Sequence, residues 1–139
     1  MATQVAVVGA GLIGRAWAIV FARAGLPVRL YDVDAAQLAN AGELIAASLQ
    51  DLHRAGLVDE EPAAILARIE CQPDLTLAMV GVEYVQECGP ENVAVKQAMY
   101  TQLEAVVEAK TILASSTSGI VASRFTGHLT HPERCLVAH

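Results

Sequence analysis

Three glycines near the amino terminus have the spacing of a loop that binds phosphate groups. Gly9, Gly11 and Gly14 follow the apolar residues 5–8, which are typical of a buried parallel strand, and a helical pattern begins near Leu12. Gly9 allows a tight turn, Gly11 lets a pyrophosphate approach the backbone, and Gly14 lets the helix pack closely on the sheet. The N–H groups at the start of this helix would then hold the phosphate oxygens.

An acidic residue after the second predicted strand extends this motif to a whole dinucleotide. Asp32 follows the strand at residues 28–31 and lies eighteen positions beyond Gly14. A carboxylate at this place accepts hydrogen bonds from the hydroxyl groups of an adenosine ribose. It would also repel a 2′-phosphate, and no arginine directly follows Asp32, so the sequence favours NAD over NADP. The alternative is an ordinary glycine turn with a surface aspartate.

Polar residues also follow three later strands. Residues 87–96, residues 115–118 and His139 each come at or just after the end of a predicted strand. Parallel strands bring their carboxyl ends to one edge of the sheet, and ligands bind at that edge. We therefore expect these three segments to meet near the glycine loop.

The elements that would position these residues alternate between strand and helix. Strands are predicted at residues 5–8, 28–31, 68–71, 83–87, 111–114 and 134–138. Helices are predicted at residues 12–24, 34–55, 73–80 and 122–127, with one more starting within 59–62 and another at residue 90 or 91. This alternation predicts an α/β fold, a doubly wound and mainly parallel Rossmann sheet that includes residues 1–139.

The first two helices carry more detailed signals. Four bulky residues of the first helix recur at helical spacing and are expected to face the sheet: Ile13, Trp17, Val20 and Phe21. On that pattern Trp17 is a core residue rather than a stacking partner for a cofactor. Asp34 is predicted to cap the second helix, with Gln37 as its partner in a capping box.

Composition narrows the class of protein. The 139 residues are the size of one domain, 54% are hydrophobic and 4% are aromatic, which suits an aliphatic sheet covered by helices. A net charge of −6 without a basic cluster argues against nucleic acid or an anionic membrane as a partner. Cys71, Cys88 and Cys135 are too few and too widely spaced for a disulfide framework or a zinc site. With no signal peptide or membrane span in the sequence, we expect a cytoplasmic protein without a metal.

Five stretches together resemble the 3-hydroxyacyl-CoA dehydrogenase family, and most closely its lambda-crystallin and L-gulonate 3-dehydrogenase branch. They are GAGLIGRAWA at residues 9–18, LYD at 30–32, VQECGPE at 85–91, ILASSTS at 112–118 and CLVAH at 135–139. The resemblance extends from the first predicted strand to the last residue. It implies an NAD-dependent oxidoreductase that converts the 3-hydroxyl of a small-molecule substrate to a 3-oxo group.

The resemblance also implies which residues bind the cofactor. The backbone at Leu12 and Ile13 and the carboxylate of Asp32 would contact NAD, and Glu91 and Lys96 would lie near the nicotinamide ribose. Each of the last two has an ordinary alternative. Glu91 could be an acid that favours a helix N-terminus, and Lys96 could be a solvated helix residue.

Two residues match the family's substrate-handling pair. Ser118 corresponds to a serine that hydrogen-bonds the substrate oxygen, although a serine at this position could instead cap the following helix. His139 corresponds to the catalytic histidine. Its neutral imidazole would take the proton of the 3-hydroxyl while hydride leaves C3, and its imidazolium would return that proton in the reverse reaction.

Members of this family continue beyond the matching histidine into a helical C-terminal domain, which builds the acyl pocket and a homodimer interface. We therefore expect residues 1–139 to be the dinucleotide-binding domain, incomplete at its C-terminal end, and to turn over little by itself. The substrate stays open between a 3-hydroxyacyl-CoA and a free acid such as gulonate or a carnitine-like molecule. A non-catalytic NAD-binding role, as in a crystallin, is the further alternative.

Overall fold

A computed structural model describes residues 2–139. Its six strands are β1 (Val5–Val8), β2 (Val28–Tyr31), β3 (Ile69–Cys71), β4 (Tyr84–Glu87), β5 (Ile112–Ser115) and β6 (Cys135–Val137). All neighbouring strands are parallel, and they form one sheet in the order β3-β2-β1-β4-β5-β6. The predicted doubly wound α/β fold is confirmed.

Six helices connect the strands. They are α1 (Leu12–Arg23), α2 (Ala35–Arg54), α3 (Pro62–Leu66), α4 (Leu75–Ala78), α5 (Val93–Val106) and α6 (Ser123–Thr126), and a 3₁₀ turn at Pro132–Arg134 precedes β6. Side chains of Asp34, Asp74 and Asn92 accept backbone N–H groups at the starts of α2, α4 and α5, so each of these helices begins at a capping residue. Within residues 2–139, none of the helices is both long enough and apolar enough to cross a membrane.

The register of the sheet aligns the strand ends that carry the polar residues. Val8 pairs with Tyr31 on one side and with Glu87 on the other, and Glu87 pairs with Ser115. Ser115 in turn pairs with Val137, two residues before His139. The chain moves outward from β1 through β2 to β3 and then returns to β4 on the other side of β1, so a crevice opens between the loops after β1 and β4.

Two apolar cores lie on opposite faces of the sheet. One contains Val7 with residues of α1 and α2, including Ile45 and Leu49. The other contains Ala6 and Val8 with residues from the β4–α6 half of the chain. Because successive strand residues point to opposite faces, the continuous apolar run of β1 fills both cores, as its sequence predicted.

The inner face of α1 differs from the prediction. Its buried residues are Gly14, Ala18, Ile19 and Ala22, whereas Ile13 and Val20 are 54% and 49% exposed. Trp17 and Phe21 are partly buried and pack against the core with their rings stacked 5.4 Å apart. Close approach to the loop after β1 requires a glycine at position 14, and Ile19, rather than Ile13 or Val20, is the bulky residue on the buried face.

One capping partner and one helix start also differ from the prediction, whereas the predicted cap of α2 at Asp34 is confirmed. Gln37 does not complete a capping box, because its side-chain Nε2 donates to Asp32 Oδ2 at 2.7 Å instead. Helix α5 begins at Val93 rather than at residue 90 or 91, since Asn92 is its cap and its side chain accepts the N–H of Val95 at 3.0 Å. Ser115, predicted to lie in a loop, is the buried last residue of β5.

Candidate functional site

The three glycines of the first loop differ in what requires them. Gly9 has φ +109°, and a Cβ there would lie 2.7 Å from the carbonyl oxygen of Cys88. A Cβ on Gly14 would lie 1.6 Å from the carbonyl oxygen of Gly9. A Cβ on Gly11 would have no described atom within 4 Å. The fold therefore requires Gly9 and Gly14, whereas at Gly11 it leaves free space beside the backbone.

The start of α1 is open toward the same space. Gly11 is its N-cap residue, and within residues 2–139 no side chain caps the helix. Leu12 and Ile13 are exposed, so the first N–H groups of a twelve-residue helix are available to an external acceptor. Free space beside uncapped N–H groups at the positive end of a helix fits a pyrophosphate.

A cavity of about 420 Å³, which we call the Asp32 cavity, lies on one side of this loop. Gly9 and Gly11 line it together with Asp32, Gln37 and Lys96. Asp32 itself is almost fully buried, and it lies at the C-terminal end of β2, where a ribose hydroxyl would meet it.

The carboxylate of Asp32 is held by three donors. Its Oδ2 accepts the N–H of Ala10 and the side-chain amide of Gln37, both at 2.7 Å, and its Oδ1 accepts the N–H of Asp34 at 2.7 Å. These bonds tie the glycine loop to the start of α2 and orient the carboxylate. The surface-aspartate alternative is thus wrong, since Asp32 is buried and organises the loop.

A second cavity of about 390 Å³, the His139 cavity, lies on the other side of the loop. It is lined by residues from five separate segments, among them Ile13, Glu91, Lys96, Ser118 and His139. Cys88, Gly89 and Lys96 line both cavities, so the two spaces adjoin where β4 ends. The structure therefore brings most of the sequence-predicted residues together along one crevice that follows the edge of the sheet, whereas Leu12 and Gly14 line neither cavity.

Lys96 is not the solvated helix residue that the alternative proposed. Its side chain is 1% exposed, and its Nζ lies 3.0 and 2.9 Å from the two carboxylate oxygens of Glu87. Glu87 also accepts the hydroxyl of Ser115 and the N–H of Gly89, both at 2.6 Å. Glu87 was predicted only as the first residue of a polar segment. Its position at the end of β4, nine residues before a lysine, is the feature of the sequence that could have indicated this ion pair.

Glu91 lies outside α5 and contacts the loop after β5. Its Oε2 accepts the hydroxyl of Thr117 at 2.8 Å, and its Oε1 lies 3.7 Å from Nζ of Lys96. The hydrogen bond from Thr117 is the main cause that lowers the pKa of the Glu91 carboxyl, and the charge of Lys96 and the N–H groups of Ser118 and Gly119 act in the same direction. Glu91 thus stays ionised and fixes the loop that carries Ser118.

Ser118 and His139 are exposed side chains that line the His139 cavity. Ser118 does not cap the next helix, because α6 begins with Ala122 as its N-cap residue. Among the described residues, His139 is the one histidine that lines either cavity. The capping alternative for Ser118 is therefore wrong.

Two other residues of this cavity have limited chemical roles. Burial raises the pKa of the Cys88 thiol to about 11, so Cys88 is a neutral thiol at physiological pH and a poor nucleophile. Trp17 packs against the core and also lines the cavity beside Ile13. The prediction that Trp17 is a core residue is thus correct but incomplete.

Comparisons with known proteins find similarity over nearly the whole chain. Residues 4–139 match the family model described as 3-hydroxyacyl-CoA dehydrogenase, NAD binding domain. The chain is 36% identical to lambda-crystallin of Oryctolagus cuniculus, over 99% of this chain and 44% of that protein. It is 32% identical to an L-carnitine dehydrogenase/betainyl-CoA thioesterase of Rhizobium meliloti (strain 1021), over 99% of this chain and 27% of that protein. A crystal structure of 3-hydroxybutyryl-CoA dehydrogenase from Escherichia coli K12 superposes with a TM-score of 0.91 at 31% identity, over 100% of this chain and 29% of that chain.

Proposed function

The chain belongs to the 3-hydroxyacyl-CoA dehydrogenase family, with the similarity to lambda-crystallin that its motifs predicted, and we propose that His139 and Ser118 carry out the oxidation of a 3-hydroxyl group. One observation carries this proposal. Ser118, from the loop after β5, and His139, just after the end of β6, line one cavity that adjoins the glycine loop. NAD is the cofactor of the matched domain.

The residues that would hold NAD follow from the geometry of the crevice. The N–H groups of Leu12 and Ile13 and the space at Gly11 suit the pyrophosphate, and Asp32 suits the adenosine ribose. Lys96 and Glu91 would contact the nicotinamide ribose, and their position in the lining of the His139 cavity supports this assignment. When bound there, NAD⁺ supplies the acceptor for a hydride from the substrate carbon.

His139 would act as the general base. A neutral imidazole can accept the proton of a secondary alcohol near neutral pH, and the resulting imidazolium can return it in the reduction. Ser118 would donate a hydrogen bond to the same oxygen, and this bond strengthens as negative charge develops there. Together the two side chains hold the substrate oxygen and move its proton.

The substrate class is a 3-hydroxy acid or its CoA thioester. The E. coli structure that this fold matches is a 3-hydroxybutyryl-CoA dehydrogenase, whereas the chain shares more of its sequence with lambda-crystallin and also resembles an L-carnitine dehydrogenase. A 3-hydroxyacyl-CoA, gulonate and L-carnitine each carry a 3-hydroxyl group, which would lie against His139 and Ser118. We favour a small free hydroxy acid such as gulonate slightly over an acyl-CoA, because the identity to the lambda-crystallin proteins is higher.

The chain spans 44% of the rabbit lambda-crystallin that it matches. We propose that residues 1–139 form a dinucleotide-binding domain. In the full-length protein, the contacts that distinguish substrates and a homodimer interface would lie in the part that corresponds to the unmatched remainder of lambda-crystallin. A cytoplasmic location stays a prediction. So does a place in fatty acid metabolism, which would follow only from an acyl-CoA substrate.

Turnover by the full-length protein tests the proposal. NADH formation would be measured with 3-hydroxybutyryl-CoA, L-gulonate and L-carnitine, and His139→Gln should lower kcat on the accepted substrate by at least about 100-fold. His128→Gln is the matched control, because His128 is exposed and lies outside both cavities. If no substrate in the panel reduces NAD⁺ while NADH still binds, the non-catalytic role replaces the dehydrogenase. If His139→Gln keeps its turnover, the assignment of the base is wrong.

A further inference from the structure

Gln86 is a fully buried amide whose role the proposed function does not assign. It is the third residue of β4, it is 0% exposed, and its neighbours in the strand are Val85 and Glu87. Burying an amide destabilises a protein unless its donors and acceptor are satisfied. Gln86 meets that requirement with three hydrogen bonds, and each goes to a different segment.

The amide group of Gln86 joins the two segments that carry the reacting pair. Its Nε2 donates to Oγ of Ser116 at 2.7 Å and to the carbonyl oxygen of Ala138 at 2.9 Å. Ser116 lies two residues before Ser118, and Ala138 directly precedes His139. One nitrogen atom therefore fixes the loop after β5 and the chain after β6 at the same time.

Both polar groups of the Ala138 main chain, directly before His139, are hydrogen-bonded. The N–H of Ala138 donates to the carbonyl oxygen of Ser115 at 2.9 Å, and its carbonyl accepts from Gln86. Both bonds attach Ala138 to the sheet just beyond the last residue of β6. Because His139 follows Ala138 directly, these bonds limit where the imidazole can lie.

The orientation of the Gln86 amide is set by its partners. The carbonyl of Ala138 can only accept, so the NH₂ group must face it. The Oε1 then points back along β4 and accepts the hydroxyl of Tyr84 at 2.7 Å. Tyr84 is held in turn by an edge-to-face contact with Phe21, whose ring centroid lies 5.8 Å away.

We propose that Gln86 is a positioning residue that sets His139 relative to Ser118. This inference rests on the proposed function, since it assumes that these two residues handle the substrate oxygen. Gln86 does not line either cavity, so it acts only through the segments that it holds. A shift of about 1 Å in a reacting group can lower a rate by about 100-fold, so the loss of this support should reduce kcat more than cofactor binding.

Two substitutions in the full-length protein remove the support in different ways. Gln86→Met keeps the approximate volume without donors, and Gln86→Glu places carboxylate oxygens against the carbonyl of Ala138. Each should lower kcat by roughly 30-fold to 100-fold, with the Kd for NADH changed by less than about twofold. Gln97→Met is the matched control, because the Gln97 amide also donates to a carbonyl, that of Arg124, but on the exposed surface of α5 and outside both cavities. It should leave kcat unchanged.

A double-mutant cycle separates positioning from a general structural role. In a His139→Gln background, Gln86→Met should lower the residual rate by no more than about twofold, because the group that it positions is gone. An additive loss in that background would overturn the inference, as would a kcat within about twofold of the wild type for Gln86→Met alone. If His139→Gln by itself keeps full turnover, it is the proposed function that fails rather than the role of Gln86.

Tyr84→Phe keeps the inference testable if the Gln86 variants do not fold. It deletes only the hydroxyl that orients the amide and leaves both bonds from Nε2 possible, at a residue that is not fully buried. A fall in kcat of roughly threefold to tenfold, with unchanged NADH binding, is expected. An unchanged kcat in this variant would count against the inference.

Discussion

Lys96 and Glu87 form a buried ion pair at the wall of the two cavities. Both side chains are 1% exposed, and Nζ of Lys96 lies within 3.0 Å of both oxygens of the carboxylate. Ser115 and Gly89 donate to the same carboxylate at 2.6 Å. The pair thereby joins the end of β4 to α5 and β5 at the point where the two cavities adjoin.

Removal of the cation from this pair should destabilise the fold strongly. Lys96→Met leaves the Glu87 carboxylate buried without its counter-ion, and the free energy of unfolding should fall by about 3–5 kcal/mol. Urea denaturation monitored by circular dichroism measures the loss. Lys110→Met is the matched control, since Lys110 is exposed and its replacement should change stability by less than about 0.5 kcal/mol. Equal free energies of unfolding for the two variants would show that the buried pair does not stabilise the fold.

The charge of Asp32 should set the preference for NAD over NADP. Asp32→Asn removes the negative charge and replaces one acceptor oxygen with a donor. It therefore loses either the two bonds to Oδ2, from Ala10 and Gln37, or the bond to Oδ1 from the N–H of Asp34. The NADH affinity should fall, and the ratio of NADPH to NADH affinity should rise by about tenfold. Fluorescence titration with both cofactors measures this ratio.

Asp74→Ala is the control for that experiment. Asp74 caps α4 and lines neither cavity, so its replacement should cost about 1 kcal/mol of stability, but the preference between the two cofactors should stay unchanged. A wild-type protein that binds NADH and NADPH equally well would contradict the role given to Asp32.

The pairing of Thr117 with Glu91 should give the stability a specific pH dependence. The folded-state pKa of Glu91 is lowered, chiefly by the hydroxyl of Thr117, so its contribution to stability is present above the unfolded-state pKa of about 4.5 and is lost as pH falls through the lower folded value. Thr117→Val should therefore destabilise the protein more at pH 6–7 than at pH 3, in urea unfolding measured across this range.

Thr126→Val is the matched substitution. The hydroxyl of Thr126 is also buried, but it donates to the carbonyl of Ala122 and touches no carboxylate. Its loss should cost about the same free energy at every pH. If the two valine variants show the same pH profile, the lowered pKa of Glu91 does not depend on Thr117.

The sequence predicted the framework of the sheet because apolar strands and turn residues are local signals. The bounds of β1 and β2 agree with the prediction, and so does the cap of α2 at Asp34. The inner face of α1 was wrong because hydrophobic spacing selects the bulkiest residues, whereas the buried face of the helix includes Ala18 and Ala22 and brings Gly14 against the glycine loop. That contact depends on tertiary packing, which spacing along one helix does not contain.

The site shows the same division between local and tertiary information. The motifs predicted that Ser118 and His139 would come to the strand ends, and the structure places both in one cavity. The burial of Lys96 against Glu87, and the bonds of Gln86 to Ala138, join residues from different strands and helices. A polar residue in a strand shows that it needs a partner, but only the fold identifies that partner.

Cofactor binding by Gly11 variants tests the central claim most directly, because the fold leaves free space at this glycine. Gly11→Ala places its Cβ in open space and, as a change at the N-cap of α1, should lower the unfolding free energy by no more than about 1 kcal/mol. It should nevertheless weaken NADH binding by at least about tenfold, since the methyl group occupies the approach of the pyrophosphate. Gly42→Ala, in the interior of α2 and also without a described atom within 4 Å, should raise stability by about 0.5–1 kcal/mol and leave NADH binding unchanged. A wild-type protein that binds no NADH at millimolar concentration, or a Gly11→Ala variant that binds it as tightly as the wild type, would contradict the account.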